Sequence, residues 1–323
     1  MRARVTVVVA TRNRSGPLAH TLGRLGALRP PPPVVVVDNG SDDGSAEVVG
    51  KRFPAVRLLA LGRNLGAAAR NLGVLAAATP YVAFSDDDSW WAPGALERAA
   101  AALDTHPRLA LVAARTLVGP EERTDPVSAL MADSPLPVPA GAPGPAVLGF
   151  LACSAVVRRD AFLQAGGFSP LLFLFGEETL LAYDLAAAGW QLCYLDDVVA
   201  HHHPATSRQA PRRRIGTQRR NALLTAWMRR PVLVATRSAG ELALASLRDP
   251  AARAALAGAL ARLPAALRQR TPLPAPLERQ VRLLENGRLP RPGLRARTSG
   301  LRTGDANDHA KEAGMTDHGQ VST

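Results

Sequence analysis

The sequence predicts an α/β protein built on a doubly wound, mostly parallel sheet flanked by helices. First, short β-branched runs such as residues 4–10 and 34–37 alternate with segments of helical length, which is typical of βαβ units. Second, these runs end in polar residues, and open α/β sheets bind ligands outside the carboxyl ends of their strands. Third, the 323 residues are 47% hydrophobic, which suffices for one large core.

The amino-terminal part contains three predicted strands before the most acidic stretch. Ser15 is expected to cap the first helix, which carries Leu18, Leu22 and Leu25 on one face. Thr11 and Arg14 follow the first strand, and Asp38 follows the second. The predicted strands are residues 4–10, 34–37 and about 56–59, and the helix at 67–78 follows Gly66 and contains Arg70.

The acidic stretch at residues 80–91 is the centre of the predicted fold. Its apolar run predicts a buried strand that ends in Asp86, Asp87 and Asp88. Three neighbouring carboxylates repel one another, and Mg²⁺ or Mn²⁺ bound together with substrate phosphates would balance their charge. The alternative is a solvated acidic loop whose aspartates cap the next helix.

The second part of the chain supplies two further groups of polar residues. Residues 119–147 are rich in Pro, Gly and Ala, and form either a functional, mobile connection or a tolerated surface insertion. Glu177 and Glu178 follow an apolar stretch and could either act chemically or open a helix at its positive end. The strand predicted at 191–200 ends in three histidines, and alternation places His202 on the face opposite His201 and His203.

Positive charge is concentrated in the carboxyl-terminal part. Residues 201–323 hold 22 lysines and arginines against eight acids, whereas residues 1–200 hold 17 against 19. This asymmetry favours peripheral contact with an anionic membrane, although an arginine-rich composition without a partner is the alternative. Basic patches interleaved with aromatic residues are absent from the sequence, so no nucleic acid is expected.

The order of these motifs resembles the family 2 inverting glycosyltransferases with a GT-A fold, among them bacterial rhamnosyl- and galactofuranosyltransferases. The resemblance covers residues 4–230 and rests on VVVATRNR, VVVVDNGSDDGS, RNLGAAARNLGV, AFSDDDSWW, the segment from GFLACSAVVRR to FGEETLLAYDLAAAGW, and VVAHHHPATS. It implies a nucleotide-sugar-binding half at 1–118 and an acceptor and catalytic half at 119–230. A basic helical extension at 231–293 and a disordered tail at 294–323 are expected to follow.

The resemblance also implies roles for single residues. The sugar donor would contact Thr11, Arg14, Asp38, Arg70, Asp86 and Asp87. A divalent cation would be held by Asp86, Asp88 and His202, with His201 as the next candidate, and an imidazole ligand suits Mn²⁺ better than Mg²⁺. Glu178 would act as general base on the acceptor hydroxyl, and Glu177 is the second candidate.

The implied activity is inverting transfer of a sugar from a nucleoside diphosphate-sugar to a saccharide or lipid-linked saccharide. The expected location is cytoplasmic, with peripheral contact at the inner face of the cell membrane. Three positions depart from the family pattern, since Glu178 replaces an Asp, Leu180 another Asp, and Asp184 an Arg. The alternative is therefore a catalytically degenerate protein that binds nucleotide-sugars or a membrane surface.

Overall fold

The computed structural model describes residues 3–204 and 211–288, and this part of the chain forms one compact unit. The tail predicted at 294–323 lies outside the described residues. The strands are β1 (Val5–Thr11), β2 (Val34–Asp38), β3 (Arg57–Ala60), β4 (Tyr81–Asp86), β5 (Ser89–Trp91), β6 (Leu109–Val118), β7 (Arg123–Thr124), β8 (Ala155–Arg158) and β9 (Gln191–His202). The helices are α1 (Ser15–Gly26), α2 (Ser45–Arg52), α3 (Ala69–Ala76), α4 (Ala95–Thr105), α5 (Pro126–Ala132), α6 (Arg159–Gln164), α7 (Glu177–Ala187), α8 (Pro211–Arg229), α9 (Val232–Ser246), α10 (Pro250–Arg268) and α11 (Ala275–Arg288).

The strands form a single mixed sheet in the order β3-β2-β1-β4-β8-β6-β9-β5, with β7 paired to β6. Strands β1 to β4, β6 and β9 run in the same direction, and β5, β7 and β8 run antiparallel to their neighbours. Thr11 is in register with Asp38, and Ala10 with Asp86. The predicted α/β architecture and the convergence of polar strand ends at one edge are therefore confirmed.

Both faces of the sheet are covered by apolar packing. Val7 and Val9 of β1 face the cluster that contains α1, whereas Val8 faces the cluster that contains α3. Within α1 the predicted face of Leu18, Leu22 and Leu25 is fully or almost fully buried. Alternation along the strands thus fixes which residues form each half of the core.

Three local predictions differ from the structure. Ser15 is the first helical residue and not the cap, a position that Arg14 occupies; the Ser15 N–H donates to Asp43 instead (2.9 Å). Residues 89–91 form an unpredicted strand, because Trp90 and Trp91 are buried when β5 pairs with β9. The 119–147 connection contains α5, whose Asp125 cap accepts a hydrogen bond from the Val127 N–H (2.8 Å).

The carboxyl-terminal helices share an apolar core with residues 171–180. Leu172 and Leu180 pack with Leu224 and Met228 of α8 and with alanines of α10. Helix α11 places Val281 in a second cluster that includes Tyr183 and Leu148. Across residues 3–204 and 211–288, none of the helices has the length and hydropathy needed to cross a bilayer.

Candidate active site

The end of β4 carries the first group of the site. Asp86 forms an ion pair with Arg70 of α3, and its backbone N–H donates to the Ser89 hydroxyl (2.7 Å). Arg70 is only 7% exposed, so the structure places this arginine inside the site and not on a solvent-facing helix surface. A buried guanidinium beside Asp86 provides a fixed positive charge at the strand edge.

The Asp87 side chain is buried next to the end of β1. Its carboxylate accepts a hydrogen bond from the Thr11 hydroxyl (2.9 Å) and lies 2.6 Å from Arg14 Nε. Burial raises the Asp87 pKa to about 7, although the charge of Arg14 opposes this shift. Donor contacts of Thr11 and Asp87 stay a prediction; in the structure both residues are buried, and Asp87 bonds to Thr11 and Arg14.

Asp88 joins three elements at the sheet edge. One carboxylate oxygen lies 2.6 Å from Arg14 Nη2, and the other lies 3.3 Å from His202 Nε2 at the end of β9. The His203 backbone N–H donates to the Asp88 carbonyl (2.9 Å). The predicted metal residues Asp88 and His202 are therefore neighbours, although they are far apart in sequence.

His201 lies on the opposite face of β9 from His202, as alternation predicts. Its Nδ1 is 3.1 Å from a Glu122 oxygen, and its ring stacks on Trp90 with a centroid distance of 5.7 Å. Burial lowers the pKa of His201. The role of His201 as a second histidine ligand stays a prediction; in the structure its ring contacts Trp90 and Glu122.

Cys153 is a site residue that the sequence analysis missed. Possible ligand atoms of Asp86, Cys153 and His202 all lie within 4.8 Å of one another. Burial, followed by the charges of Asp86 and Asp88, raises the thiol pKa well above its ordinary value. Carboxylate oxygens and an imidazole nitrogen are suitable ligands for Mn²⁺ or Mg²⁺. The Cys153 thiol lies within 4.8 Å of both ligand atoms. No local pattern marked Cys153, because it reaches the site through the turn before β8.

Asp38 stabilises the loop at the end of β2. It is 3% exposed, and its carboxylate accepts hydrogen bonds from the Ser41 hydroxyl and the Ser41 N–H (3.0 Å). The adjacent Asn39 side chain accepts from the Leu65 N–H (3.0 Å) and donates to the Gly66 carbonyl (3.2 Å). These bonds connect the Asp38 loop to the turn that leads to Arg70.

Glu177 and Glu178 open helix α7 at the other side of the site. Glu177 is 3% exposed, and its Oε2 has no hydrogen-bond partner among the described residues. Burial and the neighbouring Glu178 charge raise the Glu177 pKa to about 8. Glu178 retains some accessible surface although it lies deep in the protein, and burial raises its pKa as well. The charge of Arg70 acts on both glutamates and on Asp86.

The two later departures from the family pattern have a structural explanation. Leu180 is 3% exposed and packs in the cluster beneath α8. Asp184 forms a two-point ion pair with Arg229 of α8, in which Arg229 Nη2 donates over 3.0 Å. Both residues attach α7 to α8, so neither contributes a polar group to the acid cluster.

Known proteins share this fold and its sequence pattern. The glycosyl transferase family 2 profile matches residues 6–165. The N-acetylglucosaminyl-diphospho-decaprenol L-rhamnosyltransferase of Mycobacterium tuberculosis strain H37Rv is 29% identical over 242 residues, covering 63% of this chain and 77% of that protein.

Solved structures resemble the chain at lower sequence identity. The mannosyltransferase PcManGT of Pyrobaculum calidifontis, solved with GDP-Man and Mn²⁺, is 22% identical with a TM-score of 0.53, covering 89% of this chain and 80% of that one. S. aureus TarS 1–349 with UDP-GlcNAc is 20% identical with a TM-score of 0.53, covering 69% and 66%. In another TarS structure the match covers 40% of the TarS chain.

The fold and these matches define a glycosyltransferase of the GT-A class. The profile match at residues 6–165, together with the rhamnosyltransferase relative, supports a family 2 glycosyltransferase. The predicted enzyme class is therefore confirmed.

Proposed function

We propose that this enzyme transfers a sugar, with inversion, from a nucleoside diphosphate-sugar to a hydroxyl of a lipid-linked saccharide. The observation that carries the proposal is the position of Arg70, whose charge acts on Asp86 on one side and on Glu177 and Glu178 on the other. The proposed donor-binding carboxylate and the proposed acceptor base thus both interact with the buried Arg70 guanidinium. The choice of acceptor rests on the rhamnosyltransferase relative, whose name specifies a saccharide linked through diphosphate to decaprenol.

The donor side is proposed to bind the nucleotide and its diphosphate. Asp38 would accept hydrogen bonds from the base, and Arg14 and Arg70 would border the phosphates. Asp86, Asp88 and His202 would hold Mn²⁺ or Mg²⁺, which when bound supplies positive charge to the diphosphate leaving group. The fit rests on their adjacency and on their hard oxygen and imidazole donors.

The acceptor side is proposed to remove a proton. Glu178 is the better placed of the two acids, because Glu177 is almost completely buried whereas Glu178 keeps accessible surface. Its raised pKa makes the ionised form a stronger base toward an alcohol than an ordinary glutamate. Attack of the acceptor oxygen on the face opposite the leaving diphosphate would invert the anomeric carbon.

Contact with the cytoplasmic membrane surface would bring the enzyme to such an acceptor. Leu233, Leu244 and Leu247 are 81%, 70% and 73% exposed. Leu244 and Leu247 follow Leu233 by about three and four helical turns, so the three side chains point to one side of α9 and its carboxyl end. Arg248 and Arg237, the latter 2.9 Å from Glu241, lie beside them and would face anionic headgroups.

The test is nucleotide release from a panel of UDP-, dTDP- and GDP-sugars, with N-acetylglucosaminyl-diphospho-decaprenol as acceptor and with or without Mn²⁺. We expect one donor to be turned over in a metal-dependent manner. Glu178→Gln should keep the affinity for that nucleotide and lower turnover by about a hundredfold to ten-thousandfold. A donor that binds with no turnover in the parent enzyme would favour the degenerate binding protein, and normal turnover in Glu178→Gln would exclude this base.

A further inference from the structure

The loop before the two glutamates has an unusual backbone. Phe173 and Phe175 have φ angles of 67° and 71°, and Gly176 follows with 88°. The left-handed region is costly for a bulky residue, so two such phenylalanines within three positions require support from their surroundings. We call residues 172–176 the Phe loop; it leads directly into Glu177 and Glu178.

The turn before α3, on the donor side of the site, is hydrogen-bonded to the Phe loop. The Ala67 N–H, in the turn before α3, donates to the Phe173 carbonyl (2.7 Å). Gly66 makes this approach possible, since a Cβ there would lie 2.1 Å from the same carbonyl oxygen. The Phe loop therefore contacts the segment that positions Arg70.

Asn221 of α8 supports the loop from the other side. Its Nδ2 lies within hydrogen-bond distance of the carbonyls of Leu172 (2.9 Å), Leu174 (2.8 Å) and Phe175 (2.6 Å), which share its two N–H groups. Only the nitrogen end of an amide can face three carbonyl oxygens, so these contacts fix its orientation. Asn221 is 1% exposed, and no bulk water competes for these bonds.

Arg220 completes the arrangement. Its Nε donates to Asn221 Oδ1 (2.8 Å), and its Nη2 donates to the Leu172 carbonyl (2.9 Å). Arg220 thus holds the amide at its oxygen end while the nitrogen end holds the loop. With Ala67, these side chains satisfy the carbonyls of all four residues 172–175.

We propose that Asn221 is a positioning residue that sets the direction in which helix α7 presents Glu177 and Glu178. Its bond to the Phe175 carbonyl lies two residues before the first glutamate, so a change there is transmitted through Gly176 alone. This inference rests on the proposed role of Glu178 as base. It assigns to α8, which lies beyond the matched family profile, a part in catalysis without contact with substrate.

The test compares Asn221→Asp with two other variants on α8. Asp keeps the shape of Asn but has no N–H to donate to the three carbonyls. Arg220→Met removes the support of the amide and leaves the amide itself in place. Met228→Ala is the control, because Met228 is fully buried in the same helix and its side chain is apolar.

We expect Asn221→Asp to lower kcat by about tenfold to a hundredfold, as for a misplaced catalytic group, and to shift the ascending limb of the pH–rate profile. The Kd for the nucleoside diphosphate with Mn²⁺ should stay within about twofold, since the Ala67–Phe173 bond that joins the loop to the donor side does not involve Asn221. Arg220→Met should also lower kcat, by a smaller factor. It provides a second test if Asn221→Asp does not fold. Met228→Ala should lose stability and keep the pH profile.

A double variant separates this inference from the proposed function. In a Glu178→Gln background, Asn221→Asp should cost no further turnover, because both changes act on one group. If Glu178→Gln is impaired but Asn221→Asp and Arg220→Met keep the parental kcat and pH profile, the positioning role is overturned. Additive losses would also overturn it. Normal turnover in Glu178→Gln would instead refute the base that the inference depends on.

Discussion

The proposed donor and acceptor sides of the site differ in how positive charge reaches their carboxylates. On the donor side, Arg70 pairs with Asp86, and Arg14 lies against both Asp87 and Asp88. On the acceptor side, Glu177 and Glu178 depend on the charge of Arg70, which Asp86 already engages, and their pKa values are raised. Each of these three aspartates is therefore within reach of an arginine, whereas burial raises the pKa of both glutamates.

The two sides also differ in mechanical support. The residues of the proposed donor side lie at the ends of strands that are hydrogen-bonded to their neighbours in the sheet. The acceptor glutamates follow the Phe loop, which α8 holds and which shares the Leu180 cluster with α10. The carboxyl-terminal helices thus support the segment that carries the proposed base, and variants in that cluster test this difference most strongly.

The largest expected effect is on stability when Leu180 is changed to Asp, the residue common in the family. A carboxylate in this apolar cluster should lower the free energy of unfolding by about 3 kcal/mol or more and should not raise turnover. Urea denaturation measures the change. Ala187→Asp places the same charge on an exposed part of α7 and should cost less than about 1 kcal/mol. Unchanged stability with faster turnover would show instead that this position faces the site.

The next effect concerns the donor side alone. Asp88→Asn should weaken Mn²⁺-dependent binding of the nucleoside diphosphate by about a hundredfold, because it removes charge beside His202 and Arg14. Isothermal titration with and without Mn²⁺ gives the difference, and the exposed Asp160→Asn is the control. Parental metal-dependent affinity in Asp88→Asn would remove Asp88 from the proposed ligand set.

A smaller effect distinguishes the acceptor side by its pH dependence. Burial raises the Glu177 pKa from the ordinary 4.5 to about 8, so the folded state binds this proton more tightly than the unfolded state. The resulting stabilisation is complete below pH 4.5 and is lost as the pH rises through 8. Glu177→Gln has no such proton and so does not lose this stabilisation. The Tm of the variant minus that of the parent should therefore increase by at least about 2 °C between pH 5 and pH 8. Glu97→Gln on α4 is the control for the loss of one charge. A Tm difference between Glu177→Gln and the parent that decreases from pH 5 to pH 8 would contradict the raised pKa of Glu177.

The smallest effect is expected at the outer surface of α9. Leu233→Ser and Leu244→Ser should each weaken binding to phosphatidylglycerol vesicles by about threefold and leave turnover of a soluble acceptor unchanged. Leu75→Ser, at a 57% exposed leucine on α3, serves as control. Equal sedimentation of all three variants with vesicles would argue against this membrane face.

The sequence by itself determined the α/β fold and the edge of the sheet at which the site lies. Runs of valine that end in Asp38 and Asp86 are strands with polar carboxyl ends, and parallel connections place such ends together. Alternation along β9 likewise determined that His202 and His201 face opposite sides. These are local or periodic properties, and the sequence displays them directly.

Only the tertiary structure decided which neighbours in the acidic stretch face the cleft. Asp87 is buried against Thr11 and Asp88 is not, because packing of β1 on β4 fixes the direction of each side chain. Cys153 and Asn221 reach their places from distant segments, and the bonds of Asn221 span 46 to 49 residues. No periodicity encodes such contacts, since they depend on how complete helices and strands pack. The strained backbone that presents Glu177 and Glu178 exists for the same reason.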